Sequence, residues 1–203
     1  EYVVSAADSH SKANVGRSSA EATAQIADIV AIAHDSDTSV EVIIATAWDC
    51  PFDGPTDPQR VLDIVSAAVE YGVDRLAVAD TIGTTTPRRV TTLVQQVRPL
   101  IGDLPLGAHF HNPRGAGLAS AYAAVSAGIT RLDASVGGLG GCPFAPGASG
   151  NIATEDLVYL LRDSGVHVDV DLQKAIDAAR VAQRAVGHEL PSALLRAGDR
   201  ILG

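Results

Sequence analysis

Val42-Ile43-Ile44-Ala45 is an uninterrupted apolar run inside a β-branched stretch that starts at Val40. A strand with one face in water alternates apolar and polar residues. This one does not, so both of its faces are covered, as in a parallel sheet lying between layers of helix. Working outward, the same strand signal recurs at Tyr2 to Ala6, Arg75 to Ala79, Leu106 to His111 and Arg131 to Val136. Between these five runs lie Ala20 to His34, Pro58 to Tyr71, Pro87 to Leu100 and Gly115 to Ala127, with apolar residues near helical spacing such as Val61, Ile64, Val65 and Ala68. Thr56-Asp57-Pro58 and Thr86-Pro87 mark helix starts, and Thr154-Glu155-Asp156 sets acids at a further helix N-terminus. Asp171 to Val186 reads as one more amphipathic helix. The order is βαβα throughout, and no linker or internal repeat divides residues 1–203 into separate domains.

Composition bounds the function. Hydrophobic residues make up 46% and charged residues 19%, enough apolar material for a buried core. A net charge of -9 argues against nucleic acid or an anionic membrane surface as partner and favours small molecules. No apolar run approaches the roughly 20 residues of a membrane helix, and Glu1-Tyr2-Val3-Val4 does not open a signal peptide, so a cytoplasmic location is the default expectation. Cys50 and Cys142 form no C-x-x-C pair, which disfavours a disulfide framework or a structural zinc site.

Three places carry chemistry. In His109-Phe110-His111 the imidazoles at i and i+2 project to the same side of a predicted strand end, toward a barrel interior if Phe110 faces the helices. Such a pair either binds a metal or is hydrogen-bonded to neighbouring side chains, and strand C-terminal ends are where barrels keep catalytic groups. Gly137 to Asn151 is dense in glycine and holds Cys142 at its tip. It reads either as backbone that approaches a ligand or closes as a lid, or as a surface turn with an incidental cysteine. Asp80 ends another strand, where a carboxylate serves a substrate hydroxyl or caps a turn.

The run Val136-Gly137-Gly138-Leu139-Gly140-Gly141-Cys142-Pro143-Phe144-Ala145-Pro146-Gly147-Ala148-Ser149-Gly150-Asn151, continuing through Thr154-Glu155-Asp156, resembles the signature loop of the 3-hydroxy-3-methylglutaryl-CoA lyase family. His109-x-His111, Asp80-Thr81-Ile82-Gly83 and Asp49-Cys50-Pro51-Phe52 fall in the family's order upstream, so the resemblance spans essentially the whole chain. It implies a (βα)8 TIM barrel, N-terminally incomplete, of which the chain holds about the last five βα units. It also implies a metal-dependent carbon–carbon lyase that cleaves a 3-hydroxyacyl-CoA by retro-Claisen chemistry, as a homo-oligomer. By the same resemblance His109, His111 and Asn151 ligate a divalent magnesium or manganese ion. Cys142 acts in acid/base chemistry, and Asp80 or a metal-bound histidine such as His109 handles the hydroxyl proton.

The chain also departs from the family. Asn112-Pro113-Arg114 follows the histidines in place of an acid, a small polar residue and an aromatic. This removes a charge beside the expected metal and offers Arg114 to a substrate carboxylate or a CoA phosphate, unless it is simply solvated. His10 and Asn14, after the first strand, either face substrate or form a turn with a surface histidine. The family's first-strand Arg-Asp pair, source of a further metal ligand, has no counterpart here, so the strands at Tyr2 and Arg131 are expected to be open edges. Two other readings stand beside the lyase: a condensing relative running Claisen chemistry in the synthetic direction, and a non-catalytic barrel fragment.

Overall fold

The computed structural model describes residues 1–140 and 150–200. Its centre is a five-stranded parallel sheet formed by β1 (Tyr2–Ser5), β2 (Glu41–Ala45), β5 (Arg75–Asp80), β6 (Leu106–Phe110) and β7 (Arg131–Asp133), hydrogen-bonded in that order. β3 (Asp49–Cys50) and β4 (Gly54–Pro55) form a small antiparallel hairpin above β2 that the sequence did not signal. The major helices are α2 (Ser19–Ala24), α3 (Ile26–His34), α4 (Pro58–Glu70), α5 (Pro87–Ile101), α6 (Gly117–Ser126), α7 (Thr154–Asp163) and α8 (Leu172–Val186), with short α1 (Asp8–Val15) and α9 (Ala193–Ala197). Each sheet strand is followed by helix, and sequential strands neighbour each other, so the sheet is an arc of a βα barrel. β1 and β7 are its open edges among the described residues, as the strand count required.

Side-chain parity explains the sheet. Val42, Ile44, Leu76, Val78, Leu106, Ala108 and Phe110 face the helices and join Val61, Ile64, Val65, Leu93, Val94 and Val97 in one buried core. The alternate set faces the barrel interior, where the register sets Ile43 beside Ala77, Ala77 beside Gly107 and Gly107 beside Arg131. At the N-terminal end of the interior the buried Glu41 accepts a bond from Arg131 at 2.9 Å and faces Arg75 at 3.8 Å. A carboxylate there compensates two guanidiniums that would otherwise stand uncompensated over an apolar floor.

Several elements differ from expectation. The helix expected over Ala20 to His34 is interrupted at Gln25, because the Tyr2 hydroxyl donates to the Ala22 carbonyl at 3.0 Å and intrudes on the helix ladder there. Asp57 caps α4 by accepting from the Gln59 N–H, whereas Thr86 makes no side-chain cap for α5. The stretch after β1 is not a turn with a surface histidine: it is helix α1, and His10 within it is only 3% exposed.

Candidate functional site

Strand β6 delivers the two histidines. Phe110 points into the helix-side core, fully buried and stacked on Trp48 with ring centroids 5.9 Å apart. Alternation then turns His109 and His111 to the opposite, interior side, with ring centroids 5.1 Å apart. Burial lowers the pKa of both rings. For His111 burial, reinforced by the neighbouring His109, brings it to about 4; for His109 burial is opposed by Asp133 and Asn151. At neutral pH both are therefore uncharged imidazoles with a lone pair to offer.

Asn151 arrives from a segment laid antiparallel against the end of β6. Ile152 N–H donates to the Phe110 carbonyl at 3.1 Å, Asn112 N–H to the Gly150 carbonyl at 3.0 Å, and His111 and Asn151 form a β-bridge. The Asn151 amide nitrogen donates to the Leu139 carbonyl at 2.8 Å, which fixes the orientation of the amide. Asn151 Oδ1 and His111 Nδ1 are both buried without a hydrogen-bond partner. Buried polar atoms left without partners carry a desolvation cost that a bound group would offset. Gly140 makes the approach possible: its φ is +107°, and a Cβ there would lie 2.6 Å from the Asn151 amide nitrogen. Among the described residues no three His, Cys, Asp or Glu side chains gather at one point.

The flanking geometry is held by main-chain contacts. Glu155, fully buried at the start of α7, accepts from Gly137 N–H at 3.1 Å, and Asp156 accepts from the Ser192 hydroxyl and from the amides of Ala193 and Leu194. The acids that read as helix-dipole partners are thus tertiary clamps on the turn Val136–Gly138 and on the C-terminal segment. Leu190 and Pro191 pack directly against Gly137 and Gly138.

The remaining candidates are dispersed. Asp80 is 2% exposed and shares the helix-facing parity of Leu76 and Val78. Its two oxygens accept from the amides of Thr84 and Thr85, each at 3.0 Å, and burial raises its pKa against that pull. Its geometry is that of a turn acid, the alternative its sequence context also offered. Arg114 is exposed and donates to the Ile82 carbonyl at 2.8 Å, joining the loops after β5 and β6. Asn112 Oδ1 accepts from Gly117 N–H at 2.9 Å and so starts α6 rather than facing the histidines. His10 lies against Ser5 at 3.0 Å, within a hydroxyl group that includes Thr46, while Asn14 is on the exposed last turn of α1. Thr46 holds φ +53°, a strained conformation for a β-branched residue at the C-terminal end of β2. Cys142 lies outside the described residues.

Sequence reasoning passed over Asp133, which the register sets beside His109, with its carboxylate 3.8 Å from His109 Nδ1. The signal was available: Arg131, Asp133 and Ser135 alternate with Leu132, Ala134 and Val136, which assigns the polar set to the interior.

Known proteins share this arrangement of strands and loops. The chain is 38% identical over 196 residues to a (R)-citramalyl-CoA lyase of Chloroflexus aurantiacus, covering 97% of this chain and 62% of that protein. It is 34% identical over 189 residues to a hydroxymethylglutaryl-CoA lyase of Bacillus subtilis, covering 93% and 63% respectively. Among solved structures it superposes on an HMG-CoA lyase from Acinetobacter baumannii in complex with coenzyme A and 3-methylmalate. The TM-score is 0.91 at 38% identity, over 99% of this chain and 67% of that one. The chain thus spans about three-fifths of the length of the curated relatives it matches. The sequence model of the HMGL-like family matches residues 1–182, and with the fold in agreement, the chain belongs to that family.

Proposed function

We propose that this chain carries the metal-binding rim of an acyl-CoA lyase that cleaves a 3-hydroxyacyl-CoA with a distal carboxylate into acetyl-CoA and a keto acid. The observation that supports this most directly is the pair of buried, unpartnered acceptors, His111 Nδ1 and Asn151 Oδ1, beside a second neutral imidazole at the C-terminal ends of parallel strands. Two imidazoles and an amide oxygen suit Mg2+ or Mn2+. When bound, such an ion supplies Lewis acidity toward the substrate's oxygens and lowers the cost of an alkoxide at C3.

In this reading His109, His111 and Asn151 hold the ion. The substrate hydroxyl gives its proton to a base at the rim, the C3–O bond becomes a carbonyl, and the C2–C3 electron pair passes to the thioester as an enolate. Protonation of that enolate by the thiol of Cys142 yields acetyl-CoA. Asp80 supports the Thr84–Thr85 turn, both of its oxygens being engaged by main-chain amides. Arg114, exposed and tethered at Ile82, is the cation offered to the substrate carboxylate or a CoA phosphate. Asn14 carries no role in this reading. The relatives are named for citramalyl-CoA and hydroxymethylglutaryl-CoA, two 3-hydroxy thioesters that each carry one free carboxylate, and the Asn112-Pro113-Arg114 segment favours an acyl preference of its own.

The full-length protein is expected to release acetyl-CoA from citramalyl-CoA or hydroxymethylglutaryl-CoA only with Mg2+ or Mn2+ present, and to lose turnover in EDTA. Turnover that survives chelation sinks the proposal. Gly140→Ala gives a narrower check. Its methyl group would displace the Asn151 amide, so Mn2+ affinity, measured by titration against the free-ion EPR signal, is expected to fall at least about tenfold. An unchanged titration would remove Asn151 from the ligand set.

A further inference from the structure

We infer that Asp133 is the positioning residue for His109: its carboxylate holds the ring as the Nδ1–H tautomer and so leaves the Nε2 lone pair open to the metal site. The inference rests on the metal-site reading above, but its geometry is independent of it. β6 and β7 pair in parallel with His109 opposite Asp133, and both side chains fall on the interior parity. The carboxylate faces the Nδ1 atom, at an ion-pair distance of 3.8 Å. The other charged groups on β7 and its neighbours are accounted for: Arg131 is engaged with Glu41 two residues down the strand, and no cation pairs with Asp133 among the described residues. A half-exposed carboxylate beside a neutral imidazole orients that ring, because the imidazole carries one proton and the stronger acceptor decides which nitrogen keeps it. A histidine that binds through one nitrogen almost always donates from the other to such a group, and losing that partner typically costs 10–100-fold in metal affinity. Asn151 is oriented by the analogous device, its amide nitrogen fixed by the Leu139 carbonyl. Two of the three donors are thus aimed from behind.

The test reads the ring before the metal. In full-length, metal-free protein at pH 8, 15N-resolved imidazole NMR is expected to show His109 as the Nδ1–H tautomer, and Asp133→Ala to shift it toward Nε2–H. A wild-type His109 protonated at Nε2 overturns the inference without the need for any variant. In the same preparations Asp133→Ala is expected to weaken Mn2+ binding by about 10–100-fold while the thermal midpoint stays within about 2 °C of wild type. Wild-type affinity in the variant, or a loss beyond about a thousandfold that marks Asp133 as a direct ligand, also overturns it. If the wild-type protein shows the expected tautomer yet takes up no Mn2+, the metal-site reading fails, and the role of Asp133 in it fails too.

Discussion

Replacing His111 by alanine in the full-length protein is expected to abolish measurable Mn2+ binding and to lower acyl-CoA cleavage by about 10³-fold or more. That factor corresponds to the several kcal/mol of charge stabilisation a bound ion supplies to an oxyanion. The structure makes His111 the more decisive of the two histidines. Its Nδ1 is buried and unpartnered, and burial with the neighbouring His109 pushes its pKa down to about 4, which favours the neutral imidazole a metal would take. Nothing in the helix-side core depends on it, because it lies on the interior parity. Thermal stability in the absence of metal is therefore expected to stay the same or rise slightly, as an unsatisfied buried acceptor is removed. Parallel measurements of melting and of turnover check both halves. A variant that still binds Mn2+ and still turns over would show that the histidine pair is structural, which is the alternative an H-x-H motif always leaves.

Phe110→Ala is expected to act through the same strand but with the opposite signature. Phe110 is fully buried and stacked on Trp48, so its removal leaves a cavity behind β6, and the expected destabilisation is about 3–5 kcal/mol in denaturant unfolding. Because Phe110 is the residue between the two imidazoles, relaxation into that cavity twists the strand end that aims them. Metal affinity should then fall even in the population that remains folded. A loss of stability below about 1 kcal/mol would mean that Trp48 refills the space and that the ring is not the anchor of the strand end.

Sequence reached the sheet because its information is local and periodic. Val42-Ile43-Ile44-Ala45 and Leu106 to Phe110 carry β-branched or apolar residues where both faces are covered, and all five runs of that kind became neighbouring strands. It reached the histidines for the same reason, since i and i+2 in a strand determine a shared face. It failed where an element is set by distant partners. Helix α1 has little amphipathic pattern, being placed by the burial of His10 and by Asp8 accepting from Ser19. Asp49 is paired with Arg89, forty residues on, which brings the β3–β4 hairpin down onto α5, and no spacing rule reveals such a pair. Asp80 reads in sequence as an acid that faces substrate or caps a turn, and its bonds from the main-chain amides of Thr84 and Thr85 are a contact that the sequence does not reveal. Glu155 and Asp156 matched a helix-start pattern correctly while their actual contacts lay in two other segments.

Those two adjacent acids have one further consequence. Glu155 grips the turn that opens the glycine-rich segment, Asp156 grips the tail at Ser192 to Leu194, and Leu190 and Pro191 are wedged against Gly137 and Gly138. Turn, helix start and tail therefore form a single cooperative unit rather than three independently fraying pieces. The tail cannot peel away without uncovering the glycines, and the turn cannot open without breaking the helix start. The last stretch of the described chain, remote in sequence from His109, thus sets the free energy of local opening for the backbone that presents Asn151.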